Sequence, residues 1–112
     1  MDFIIKDNVL LSYQKEYGVT EITIPDNVKI IEHDAFYDCK NLTSIIIPDS
    51  VEVIYHNAFS GCKNLKSITI PRSVKSIGDA FDGCENLTSV IIQNGVTKIG
   101  CYASAGVKVL KM

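Results

Sequence analysis

Four cysteines and two histidines are the residues of this chain with the most chemistry to offer. A thiol beside an imidazole can act as nucleophile and base, and thiols with imidazoles can hold zinc. The spacing points elsewhere. Cys39, Cys62 and Cys84 are 23 and 22 residues apart, and His33 and His56 are 23 apart. Such intervals are far longer than the C-x₂-C spacing of a zinc site. Reactive cysteines occupy electropositive, partly exposed places, whereas a fixed interval of this kind marks a repeated core position where a free thiol serves as a small apolar group. Cys101 departs from the interval and is the candidate for a reactive or intermolecular thiol. No phosphate-binding glycine loop, nucleophile elbow or zinc-protease motif occurs. No catalytic residue, no metal ligand, no disulfide and no cofactor is expected.

The interval itself is the organising feature. Ile47 to Ile70 reads I-P-D-S-V-E-V-I-Y-H-N-A-F-S-G-C-K-N-L-K-S-I-T-I. Moved back 23 positions it meets I-P-D-N-V-K-I-I-E-H-D-A-F-Y-D-C-K-N-L-T-S-I-I-I, and moved forward it meets a third copy lacking one residue before Asp79. A decayed fourth copy begins at Ile92. Units of this length cannot bury their own apolar face, so they must stack as coils of a solenoid.

Each copy places its residues in three steps. Leu42, Ile45 and Ile47, then Leu65, Ile68 and Ile70, then Leu87, Val90 and Ile92 form an L-x-x-I-x-I strand whose side chains alternate inward and outward. Pro25, Pro48 and Pro71 end these strands because proline has no N–H for a ladder. The chain returns through V-x-x-I, from Val28 and Ile31 to Val96 and Ile99. Asp34, Asn57 and Asp79 before Ala-Phe are read as N-caps of short helical turns, and Asn41, Asn64 and Asn86 as left-handed residues after them and rungs of a stacked ladder. Stacking also sets Lys29, Glu52 and Lys75 in one outward column. His33 and His56 then fall about 5 Å apart, as two surface imidazoles on a coil edge.

The ends differ from the middle. Phe3 to Tyr13 holds two apolar runs around Asp7-Asn8, a hairpin that covers the open first coil. In the fourth copy Ser104 replaces the Phe, and Val107 to Met112 alternates apolar and charged residues as a closing strand. The organisation expected is a hairpin cap over 1–18, a solenoid of about four coils over 19–104 and a cap strand over 105–112. A net charge of −2 gives no basic field for nucleic acid. No apolar run approaches the roughly 20 residues of a membrane-spanning helix, and no secretory signal opens the chain.

The pattern I-P-x-x-V-x-x-I-x-x-x-A-F-x-x-C-x-N-L-x-x-I-x-I closely resembles the BspA-like class of leucine-rich repeat, over about 80 residues. The resemblance implies an α/β-type repeat solenoid with a parallel β-sheet on one face and short helical turns elsewhere. Members are common among surface proteins of bacteria and some protists, and several are implicated in adhesion and host-protein binding. The resemblance therefore implies a cell-surface or secreted setting, although this sequence carries no export signal or anchor. The outward positions of the sheet form two columns, Glu21, Ser44, Ser67, Ser89 and Thr23, Ile46, Thr69, Ile91. Two outward isoleucines in a polar field mark a contact surface, while β-branched residues also simply suit a strand. The expectation is a non-enzymatic protein-binding module using Ser44, Ile46, Ser67, Thr69, Ser89 and Ile91 against a protein partner. The alternatives are a self-assembly module pairing through its solenoid ends into a homo-oligomer, and a thiol enzyme, which would need a fast-reacting cysteine.

Overall fold

Every coil contributes two strands, so the stack builds two sheets with the apolar residues between them. The computed structural model describes residues 3–14, 18–96, 98–99 and 108–111. The strands are β1 (Phe3–Lys6), β2 (Val9–Tyr13), β3 (Glu21–Thr23), β4 (Ile30–Ile31), β5 (Ser44–Ile46), β6 (Val53–Ile54), β7 (Ser67–Ile70), β8 (Ser76–Ile77), β9 (Ser89–Ile92), β10 (Lys98–Ile99) and β11 (Lys108–Lys111). The L-x-x-I-x-I segments form the front sheet, which is divided into β3-β5 and β7-β9-β11. The V-x-x-I segments form an unbroken back sheet in the order β1-β2-β4-β6-β8-β10. The back sheet was not foreseen. Its repeat-derived rungs, β4, β6, β8 and β10, are only two residues long, too short to show a period-2 pattern in sequence.

Register follows the repeat. Val53 pairs with Ile30 and Ser76, and Ile54 pairs with Ile31 and Ile77, all in parallel. Lys29, Glu52 and Lys75 form the outward column expected, each linked through the backbone: the Glu52 N–H donates to the Lys29 carbonyl at 2.7 Å, and Lys75 to Glu52 at 2.7 Å. After each front strand a turn closes from Val28, Val51 and Val74 onto the carbonyls of Pro25, Pro48 and Pro71.

The core fills with the repeated apolar set. Phe36, Phe59, Val28, Val51, Val74, Ile54 and Leu65 are fully buried. Phe36 stacks on Phe59 at 5.3 Å and Phe59 on Phe81 at 5.7 Å, with interplanar angles of 13° and 7°. Tyr13 of the hairpin joins this column, 5.6 Å from Phe36.

The Ala-Phe segments correct one expectation, because no helix occurs among the described residues. Their amides divide between two duties. Some close single turns, as Tyr37 N–H to the Asp34 carbonyl and Cys39 N–H to Phe36. Others reach sideways to the next coil: Phe36 to Ala58, Asp38 to Ser60, Phe59 to Ala80 and Gly61 to Asp82. Amides committed to the neighbouring coil are not available for the i→i−4 bonds of a helix. Accordingly Asp34 and Asn57 are not N-caps. Both adopt left-handed φ, 58° and 60°, and the Asn57 side chain accepts the Ser60 hydroxyl at 3.0 Å.

Asn41, Asn64 and Asn86 are not left-handed either. That conformation falls on Asp38, Gly61 and Gly83, directly before the repeated cysteines. The asparagines do form the expected ladder: Asn64 Nδ2 donates to the Lys40 carbonyl at 2.7 Å, and Asn86 Nδ2 to Asn64 Oδ1 at 3.2 Å.

At the start of the chain, Asp7 and Asn8 take φ of 52° and 66° in the β1–β2 turn, the double left-handed geometry of a tight hairpin. Asn8 also anchors the hairpin to the first coil by donating from Nδ2 to the Asn27 carbonyl at 2.7 Å. β2 pairs with β4, so the hairpin extends the back sheet and leaves β3 as the edge of the front sheet. At the other end β11 pairs in parallel with β9, which gives the closing strand. Cys101 and Ser104 lie outside the described residues.

Candidate functional site

The front sheet carries the residues singled out in the sequence, and its pairing sets them in two columns. Glu21 lies opposite Ser44 and Thr23 opposite Ile46 in β3–β5, while Ser67 lies opposite Ser89 and Thr69 opposite Ile91 in β7–β9. The inward partners Ile45, Ile68 and Val90 are buried, so the outward columns are held by a filled core. Ile46 is 56% exposed and is one of the most exposed large apolar residues. Ser67 and Thr69 are exposed, whereas Ser44, Ser89 and Ile91 are half-buried. The second outward isoleucine is therefore less available than the first, because β9 has hydrogen-bonded neighbours on both sides, β7 and β11.

The geometry adds a feature that no repeat alignment signals. The ladder is interrupted between β5 and β7. The last backbone bond before the interruption is long, Lys66 N–H to the Thr43 carbonyl at 3.4 Å. Ile24 N–H closes the far end of β3–β5 by donating to the Ile46 carbonyl at 3.0 Å, and the equivalent bond from Ile47 to Thr69 is not found. The result is a cleft of about 320 Å³ whose lining includes Ser44, Ile46, Asp49, Ser67, Thr69 and Gln93. Four of these six are residues of the sequence-derived surface. Asp49 and Gln93 were missed, since they stand in the turns after the strands and not in the strand pattern. Gln93 replaces the proline of the other copies, and its Oε1 accepts the Arg72 backbone N–H at 3.1 Å.

The cysteines are built into the core. Cys39, Cys62 and Cys84 are buried thiols that form no disulfide. Each of the latter two donates from Sγ to the Phe carbonyl of the preceding coil, Cys62 to Phe36 at 3.2 Å and Cys84 to Phe59 at 3.1 Å. Hydrogen bonding to Cys39, and then burial, pushes the Cys62 thiol far above its ordinary range. Burial pushes Cys84 up to about 11. Such thiols are poor nucleophiles.

The imidazoles meet on a coil edge. The His33 and His56 rings are 5.9 Å apart, and His33 stacks on Tyr55 at 5.0 Å. His33 Nδ1 lies 2.9 Å from Glu32 Oε1, and this hydrogen bond holds the Glu32 carboxyl below its ordinary pKa. His56 Nδ1 accepts the Asp79 N–H at 3.3 Å, which places the ring against Gly78. Among the described residues no cluster of three or more metal-ligating side chains occurs.

The family model for the BspA type leucine rich repeat region, which describes an array of 6 copies, matches residues 11–112 of this chain. No curated protein matches the sequence significantly. Among solved structures the chain is similar to a leucine-rich repeat protein of Eubacterium ventriosum, with TM-score 0.65 and 27% identity over 83% of this chain and 36% of that one. It is similar to a leucine rich cell surface protein of Faecalibacterium prausnitzii, with TM-score 0.57 and 28% identity over 92% of this chain and 38% of that one. It also shares its fold with the leucine rich repeat protein of T. pallidum, at TM-score 0.54 and 18% identity over 97% and 82% of the two chains. The chain thus spans little more than a third of the length of the first two. With the family pattern covering nearly all of the sequence, the chain belongs to the BspA-type leucine-rich repeat family.

Proposed function

We propose that the chain is a non-enzymatic protein-interaction module that presents its front sheet to a protein partner. Leucine-rich repeat proteins generally act as interaction modules, and the observation that carries the reading here is Ile46. Its side chain is 56% exposed on a face that also carries Thr23, Ser44, Ser67, Thr69 and Ser89, with Glu21 and the half-buried Ile91 farther off. An apolar side chain with no core to serve, ringed by small hydroxyls, is the arrangement of a contact centre and its polar rim. The scaffold is held by backbone bonds between coils, so binding orders little new chain. The similarity to a leucine rich cell surface protein supports a cell-surface setting for this contact, and adhesion or host-protein binding is the role proposed for it.

The test is affinity capture by the immobilised domain and by an Ile46→Asp, Ile91→Asp variant, each exposed to host matrix proteins and to lysate of the source cell. A partner retained by the native sheet and lost by the variant is the expected result. Equal capture by both removes the sheet from consideration. A second reading, self-assembly, draws on the outer edge of β3, which has no strand beside it among the described residues because the hairpin docks on β4 instead. Sedimentation velocity between micromolar and millimolar concentrations separates it, since only assembly makes the size depend on concentration.

A further inference from the structure

The interrupted ladder between β5 and β7 has the shape and chemistry of a receptor for one side chain. Cα atoms of the two strands remain within 8 Å, whereas inserting a whole strand needs about 9.5 Å. A partner's strand therefore does not fit between them, while the cleft of about 320 Å³ has room for a single side chain. The lining supplies the hydroxyls of Ser44, Ser67 and Thr69, the carboxylate of Asp49 and the exposed apolar surface of Ile46, and no lysine or arginine. Asp49 is exposed and has no ion pair among the described residues. Such a set repels anions and offers acceptors to a cation.

We propose that this seam receives an arginine or lysine side chain of the protein partner, the head group on Asp49 and the aliphatic stem along Ile46. The proposal rests on the front sheet being the binding face. A planar guanidinium matches a narrow slot lined by acceptors, and long basic side chains cover apolar surface with their stems. Arginine is also among the residues that most often anchor protein interfaces. Arg72 stands one repeat beyond Asp49 in the same turn position and outside the cleft lining. Its charge opposes an incoming cation, so its removal favours binding.

The probes are the blocked peptides Ac-Gly-Arg-Gly-NH₂, Ac-Gly-Lys-Gly-NH₂ and Ac-Gly-Glu-Gly-NH₂, titrated into the ¹⁵N-labelled domain while amide shifts are followed. The basic peptides are expected to move the amides of Ile45, Ile46, Ser67 and Thr69 saturably, and the Glu peptide is not. Asp49→Asn should weaken the basic peptides about tenfold, the effect of losing one charge-assisted contact. Arg72→Ala should strengthen them. Asp49 is exposed, so an unchanged thermal midpoint certifies that Asp49→Asn is folded. Equal response to the Glu peptide, shifts centred away from the seam, or an affinity unchanged by Asp49→Asn would each overturn the proposal. The two readings fail separately. A partner captured alike by the native domain and Asp49→Asn, yet lost by Ile46→Asp, Ile91→Asp, leaves the sheet standing and removes the seam. A partner retained by that double variant removes the sheet itself.

Discussion

Replacing Phe59 by alanine tests the stacked core most directly. Phe59 is 0% exposed and sits between Phe36 and Phe81 at 5.3 and 5.7 Å. Burying such a side chain is worth about 1.5–3 kcal/mol, and each aromatic contact adds about 0.5–1.5 kcal/mol. The ring is flanked above and below by coils fixed through backbone bonds, Phe36 to Ala58 and Phe59 to Ala80, so the cavity cannot close easily. The expected loss is about 3–5 kcal/mol. For a chain of 112 residues the total stability is roughly 6–17 kcal/mol. At a urea slope of about 2 kcal/mol per molar, the midpoint should fall by about 2 M. The chain has no tryptophan, so far-UV circular dichroism and tyrosine fluorescence are the two probes. Phe59→Leu, which keeps most of the volume, should cost less than about 1.5 kcal/mol. A midpoint moved by under half a molar in Phe59→Ala, or by about 2 M in Phe59→Leu, would refute the picture of coils locked around an aromatic column.

The other predictions are local. Thiol labelling at pH 7.5 should be slow for Cys84: burial pushes its pKa from 9.0 up to about 11, which lowers the thiolate fraction roughly 100-fold before restricted reagent access is counted. Labelling of Cys39, Cys62 and Cys84 should reach full speed only in denaturant. Gly78→Ala should cost about 1–3 kcal/mol, because the new Cβ would stand 2.7 Å from His56 Nδ1 and 3.0 Å from the His56 backbone nitrogen. His56→Ala should recover only part of that loss in a urea melt, the backbone contact remaining. Glu32 should titrate below its ordinary value in a side-chain carboxyl NMR experiment and move only part of the way back in His33→Ala, because the backbone N–H at position 33 still donates to Glu32 Oε1. Since its folded pKa is depressed, the small stabilisation is present above the unfolded pKa and disappears as pH falls through the folded one.

Much of the fold was legible because the repeat states it several times. One apolar position in a sequence is ambiguous, but Leu42, Leu65 and Leu87 at intervals of 23 and 22, each inside the same motif, mark one column of a stack. The columns at Ser44 and Ile46, the asparagine ladder and the buried thiols follow from the same arithmetic. The short helical turns were misread because Asp-Ala-Phe satisfies cap statistics, and sequence alone does not say where a backbone amide is spent. A glycine or aspartate before each repeated cysteine was the signal for the left-handed residue, and it stood at Asp38, Gly61 and Gly83.

The sequence by itself determined the coil, its register and which side of each front strand faces out, since period and alternation are properties of the chain. Only the tertiary structure decided how neighbouring coils share their hydrogen bonds. It turned Val-x-x-Ile into a second sheet, spent the Ala-Phe amides across coils and docked the hairpin on β4 instead of β3. It also opened the front sheet between β5 and β7, bringing Asp49 and Gln93 beside Ile46. Repeats 23 residues long carry near-identical strands on both sides of that seam. The difference lies in how well two adjacent coils fit, and that is settled by packing between them and not by either coil alone.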